Sequence, residues 1–106
     1  MTYDVEITDR AIFDLKTLYE YIANALMVPI AAKKQYIRIE DAIYSLRDMP
    51  ERFKRYEKGP WRNRNLRIMR VDNYLVFYVV NNENFKVTVI RIVYGRRDVD
   101  KELSEA

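Results

Sequence analysis

Leu66-Arg67-Ile68-Met69-Arg70-Val71-Asp72-Asn73-Tyr74-Leu75-Val76-Phe77-Tyr78-Val79-Val80 is the stretch on which the fold turns. Two apolar runs flank Asp72-Asn73, the second rich in Val, Phe and Tyr, and Asp and Asn tolerate the left-handed backbone of a tight turn, so the stretch predicts an antiparallel hairpin. Asn81-Asn82-Glu83-Asn84 supplies a second turn, and Phe85 to Tyr94 a third strand. Strands over 66–71, 74–80 and 85–94 therefore read as a three-stranded meander.

Upstream, residues 51–64 have no clean period, and Gly59-Pro60 marks a loop that Phe53, Tyr56 and Trp61 are expected to pin down. Before the loop the period changes to that of helices. From Arg10 to about Leu26, the residues Ile12, Leu15, Tyr19, Ile22 and Leu26 recur at three- and four-residue spacing. A second helix opens at Pro29, where a missing N–H costs nothing, and ends at Met49-Pro50. Its buried side is expected to hold Ala32, Tyr36, Ile39, Ile43 and Leu46, with Lys33, Lys34, Arg38, Asp41 and Arg47 outward.

Helices joined by two or three residues lie antiparallel, so the pair forms a hairpin whose shared apolar face needs a sheet to cover. Tyr3, Val5 and Ile7 alternate with polar residues as a short half-buried strand, and Thr8 or Asp9 caps the first helix. The predicted fold is α+β: N-terminal strand, antiparallel helical hairpin, then three-stranded antiparallel meander, in one domain over 1–106. Residues 101–106 are polar and are expected to fray.

Composition narrows the chemistry. The 106 residues, 49% of them hydrophobic, suffice for a modest core. With neither histidine nor cysteine, disulfides, thiolate nucleophiles, zinc fingers and imidazole acid–base catalysis are excluded. Carboxylate pairs such as Glu40-Asp41 lack further ligands at metal spacing, so no metal and no cofactor is expected. No signal peptide or long apolar span is visible, and the expected compartment is the cytoplasm, away from membranes.

The net charge of +3 is unevenly spread: residues 51–70 carry eight basic and two acidic side chains, whereas residues 1–50 carry six and eight. This stretch reads either as a solvated loop and strand face or, with its interleaved aromatics, as a surface for phosphates or an acidic partner. Of the nine tyrosines, Tyr19, Tyr36 and Tyr44 lie at helical-stripe spacing and Tyr78 ends an apolar run, which suits core or boundary positions better than catalytic ones.

Two local patterns carry a resemblance. The hairpin over 66–78 places an aromatic just after its turn, and Ile92-Val93-Tyr94-Gly95-Arg96-Arg97-Asp98-Val99 is a strand that ends in Gly and then Arg. With the order of elements, the chain resembles the RelE/ParE superfamily of toxins from bacterial type II toxin–antitoxin systems. The resemblance implies a cognate ParD- or RelB-like antitoxin as partner, with operator DNA reached only through it.

One fold serves two activities in that superfamily, ribosome-dependent mRNA cleavage in RelE-type members and poisoning of DNA gyrase in ParE-type members. Metal-independent cleavage by the ribose 2′-OH needs cations for the phosphorane charge; Arg67, Arg70 and Arg97 are the catalytic candidates if the chain is RelE-like. The Arg expected after Tyr74 is Leu75, however, and the expected C-terminal Tyr falls near Leu103. Tyr74-Leu75, and Arg96-Arg97-Asp98-Val99 followed by Leu103, fit the ParE-type pattern instead. The resemblance thus favours gyrase, with Trp61, Arg62, Arg64, Arg67, Arg70, Arg96 and Arg97 as target- or nucleic-acid-binding residues. A chain that has lost toxicity and serves only as antitoxin-binding partner or co-repressor is the third possibility.

Overall fold

The computed structural model describes residues 2–61, 64–96 and 99–104. Strand β1 (Asp4–Ile7) leads into helix α1 (Asp9–Glu20), and helix α2 (Pro29–Ser45) follows. Strands β2 (Leu66–Val71), β3 (Tyr74–Asn81) and β4 (Lys86–Tyr94) precede helix α3 (Val99–Ser104). The sheet order is β1-β4-β3-β2, antiparallel through the meander and parallel between β1 and β4. The predicted α+β architecture is the one observed.

Asp72-Asn73 joins β2 to β3 with Val71 opposite Tyr74, and Asp72 takes the left-handed φ of 55° that its residue type tolerates. The second turn is held by Asn81, whose Oδ1 accepts from the N–H groups of Glu83 (3.0 Å) and Asn84 (3.1 Å). Phe85 belongs to this turn, with φ 50°, so β4 starts one residue later than the apolar run implies. Ile90 is an extra residue in β4: Phe77 faces Arg91 but Tyr78 faces Val89.

Alternation gives the sheet two faces. Met69, Val76, Tyr78, Val80, Val87, Val89 and Ile92 pack beneath both helices, where Leu15, Leu18, Ile39, Ile43 and Leu46 meet them. Each such burial stabilises the fold by about 1.5–3 kcal/mol. Thr8 caps α1, its Oγ1 accepting from the Ala11 N–H (3.1 Å).

The stripe of α2 follows the predicted positions, but that of α1 does not. Ala11, Leu15 and Leu18 are buried, while Ile12, Tyr19 and Leu26 are exposed. Small Ala11, fully buried, sits where the helix backbone lies closest to the core, and the i, i+4, i+7 series it starts takes the inner face. Nor is α1 regular to Leu26: Tyr21–Ala25 is a π-helical turn, closed by Leu26 N–H to the Tyr21 carbonyl (3.1 Å), and the chain reverses at Met27 with φ 57°. Tyr44 is likewise exposed, donating its place in the core to stack under Arg47 at 4.3 Å.

The second face is smaller. Leu66, Phe77 and Val93 are covered by Tyr56 and Trp61 from the loop and by Val99 and Leu103 from α3. Phe53 packs instead on the first face, so all three predicted aromatics anchor the loop. The expected fraying does not extend to 101–104, because Leu103, 2% exposed, inserts into this cluster.

Candidate functional site

The basic residues of 61–70 are divided by the strand they sit on. Leu66 and Ile68 face the second cluster, so Arg70 shares their face and Arg67 points to the other. Arg67 is committed within the chain. It donates from Nε to Asn65 Oδ1 (3.1 Å), from Nη1 to the carbonyls of Glu51 (3.0 Å) and Phe53 (2.8 Å), and from Nη2 to Glu51 Oε2 (3.2 Å). Glu51 also accepts from Asn65 (2.8 Å) and Asn82 (3.2 Å), and the Asn65 bond foremost holds its carboxyl below the usual range. This cluster fastens the loop to the start of β2.

Arg64 lies at the same end as Arg67, its guanidinium 5.4 Å from the half-buried Trp61 ring. Arg70 lies four residues along β2 from Leu66, about 13 Å at the usual strand rise. There it meets the end of β4: Gly95 N–H donates to the Asn73 carbonyl (2.8 Å), Arg70 Nε donates to the Asp72 carbonyl (3.0 Å), and Arg70 Nη1 is 3.8 Å from where a Gly95 Cβ would stand. Exposed Arg96 continues from Gly95. The fold thus brings Arg70 and Arg96 to one corner and separates them from Trp61, Arg64 and Arg67. Arg62 and Arg97 lie outside the described residues.

Asp72 at that corner accepts from Arg38 Nε (2.7 Å) and Gln35 (2.9 Å) of α2, and those bonds lower its carboxyl pKa. Tyr74 and Tyr94 meet edge to face at 5.7 Å beside it.

A groove of about 800 Å³ opens next to the corner, between α1 and the end of β4. Phe13, Tyr21, Leu26 and Tyr94, all exposed, line it with Arg10 and Arg38. In its wall lies the one buried charged residue among those described, Arg91, 3% exposed. Arg91 Nε donates to Asp14 Oδ2 (2.7 Å), Nη2 to Glu102 Oε2 (3.0 Å), and Nη1 to the Glu102 carbonyl, tying α1 to α3. Burial works against its charge, but the bonds to Asp14 and Glu102 outweigh it and hold its pKa above the ordinary value.

None of the groove residues stood out in the basic stretch, although Phe13 and Tyr21 gave a signal: both are aromatic and neither falls on the helical stripe. Among the described residues no group of carboxylates is arranged to hold a metal ion, and no helix is long and apolar enough to cross a membrane.

Residues 5–99 match the family model described as the ParE toxin of the type II toxin–antitoxin system parDE. The chain belongs to the ParE toxin family. It is therefore a type II toxin of the RelE/ParE superfamily, and its folded neighbours agree. A chain of the chromosomal ParDE system of P. aeruginosa superposes with TM-score 0.71 at 17% identity, covering 88% of this chain and 96% of that one. A chain of the RelBE2 toxin–antitoxin complex of Mycobacterium tuberculosis gives 0.63 at 21%, covering 89% and 99%. One from the archaeal RelE–RelB complex of Pyrococcus horikoshii gives 0.61 at 22%, covering 92% and 100%. At these identities the likeness is one of fold. No curated protein matches the sequence. Among the described residues, the corner at Arg70 and Arg96 and the groove beside Arg91 are two adjoining open surfaces.

Proposed function

We propose that this toxin arrests growth by binding DNA gyrase rather than by cutting RNA, and that a cognate antitoxin encoded beside it neutralises it. One observation carries the first part: the sheet face opposite the helical hairpin is filled. Tyr56, Trp61, Val99 and Leu103 cover Leu66, Phe77 and Val93 there, and the Tyr56 hydroxyl donates to Asp100 to join loop and helix. Cleavage at a ribose 2′-OH needs several cations and a proton carrier converging on one open surface. Of the three candidates for that chemistry, Arg67 is turned to the other face and spent on the loop. Leu75 packs in the cluster and Leu103 is buried, where the RelE-type pattern calls for Arg and Tyr.

The antitoxin follows from the family, and the M. tuberculosis and P. horikoshii structures are themselves toxin–antitoxin complexes. On this reading Arg70 and Arg96 are target contacts. The test is pulse-labelling of DNA and protein synthesis within minutes of inducing the protein alone. DNA synthesis should fail first, with gyrase-linked breaks. Translation failing first, with mRNA cut inside ribosomes, would establish the nuclease alternative; no effect from folded protein would leave only an antitoxin-binding role.

A further inference from the structure

The side of α2 turned away from the sheet carries a stripe that the core does not use. Ala32, Ile39 and Ile43 are the buried residues of this helix, with Leu46 just past its end. On the other side Ile30, Ile37 and Tyr44 recur every seven residues, two helical turns apart, so they line one row. They are 74%, 42% and 59% exposed. Arg47 fixes the last of them in place: its Nη1 donates to the Tyr44 hydroxyl (2.5 Å) and its guanidinium stands 4.3 Å from the ring centre. Single exposed apolar residues are ordinary on a small protein, but a row at heptad spacing is the pattern by which helices pair.

The charges beside the row are ordered about its middle. Lys33 and Lys34 come four and three residues before Ile37, Glu40 and Asp41 three and four after it. At about 100° per residue, Lys33 and Glu40 flank the row on one side and Lys34 and Asp41 on the other. All four are exposed, and none forms an ion pair or side-chain hydrogen bond among the described residues. A two-fold axis perpendicular to α2 at Ile37 lays a second α2 antiparallel on the first. Ile37 then meets Ile37, Ile30 meets Tyr44, and on each flank a lysine meets a carboxylate, Lys33 with Glu40 and Lys34 with Asp41. In a parallel pair lysine would face lysine and carboxylate face carboxylate, so the charges select the antiparallel one.

We propose that two copies of this chain pair through α2, antiparallel about Ile37. A second copy presents acids and bases in the reversed order by symmetry alone, which is the complement this row requires. The seam from Ile30 to Tyr44 is roughly 21 Å long at the usual helical rise. One helix pair is small beside the area that permanent dimers bury, so the association is weak, with a Kd of about micromolar or above. The inference depends on neither the gyrase nor the antitoxin reading.

The experiment is sedimentation velocity on the purified full chain across a concentration series. The parent should pass from the mass of one chain to that of two, and about 0.5 M salt should raise the midpoint several-fold. Lys33→Glu with Lys34→Glu leaves only acids beside the row, and Glu40→Lys with Asp41→Lys only bases. Each double variant alone should pair at least about thirtyfold more weakly than the parent, while an equimolar mixture of the two should pair again. The chain has no cysteine, so position can be tested separately. Ile37→Cys should oxidise to a disulfide-linked dimer, whereas Ile30→Cys, whose two copies would lie about 21 Å apart, should not. This pair of variants decides the matter if a charge variant fails to fold. A parent that keeps the mass of one chain throughout overturns the proposal. So does a dimer indifferent to the charge reversals and unlinked through Ile37→Cys, which pairs by another face. A one-chain parent whose binding to the product of the adjoining gene is lost on reversal gives the row to that partner, and equally overturns self-pairing.

Discussion

Arg91 is the residue with most at stake. A guanidinium 3% exposed between Asp14 and Glu102 is stable only while both carboxylates stay with it. Arg91→Ala should cost about 3–5 kcal/mol, read from the urea midpoint, because it strands two largely buried carboxylates. Replacing Arg91, Asp14 and Glu102 together by apolar side chains should recover most of that loss. Tyr78 is a second buried polar group: its hydroxyl donates to the Pro50 carbonyl (2.5 Å), and burial pushes its pKa up to about 12. Since the folded value lies above the unfolded one of 10.0, the stabilisation is complete below pH 10 and is lost as pH rises towards 12. A tyrosine ionisation delayed towards pH 12 should therefore appear in an absorbance titration, and it should be absent in Tyr78→Phe. Glu51 and Asp72 work at the other limb. Both carboxyls are depressed, so their contributions are present above the ordinary values of 4.5 and 3.8 and fade as pH falls through the lower folded values. Melting temperature should drop below about pH 4.5, and less steeply in Glu51→Gln.

At the level of elements, Gly95 and Leu103 make comparable tests. A Cβ on Gly95 would stand 3.2 Å from the Asn73 carbonyl oxygen, a backbone atom with little room to yield. Gly95→Ala should cost about 1–3 kcal/mol by calorimetry and loosen the corner that holds Arg70. Leu103→Ala should cost about 2–5 kcal/mol or free α3 altogether, visible as rapid exchange over 99–104. These two elements also mark how far patterns in the chain could be followed. The meander and α2 were legible because their periods run uninterrupted through Leu66 to Tyr94 and Ala32 to Leu46. The inner stripe of α1 was not, because Ile12 and Tyr19 are as apolar as Leu15 and only the sheet decides which side is inner. A six-residue helix such as α3 carries too little period to register, and its one buried residue, Leu103, looks like any other near a polar end. The bulge at Ile90 is silent too, since Val, Ile and Thr fill both faces of β4. The split between Arg67 and Arg70 could have been read directly: an odd spacing on a strand sends two side chains to opposite faces.

For the molecule as a whole, the surfaces proposed for the target and for a second copy differ in chemistry, one cationic at Arg70 and Arg96, the other an apolar row at Ile30, Ile37 and Tyr44. Alanine at both arginines should weaken growth arrest, scored by colony counts on induction, while antitoxin affinity measured by titration calorimetry stays within about threefold of the parent.

The parallel pairing of β1 with β4 has a consequence for how the protein is made. Val5 and its neighbour Val87 are separated by nearly the whole meander and both helices, so the sheet cannot close until β4 has left the ribosomal exit tunnel. Until then α1 and α2 have no complete surface to pack on, and neither the corner nor the groove exists. A nascent chain is on this account harmless to the cell translating it and unrecognisable to its neutraliser, and both properties appear together. Stalled chains with a tether too short to expose Tyr94 should be cut readily by protease, and chains with a longer tether should resist.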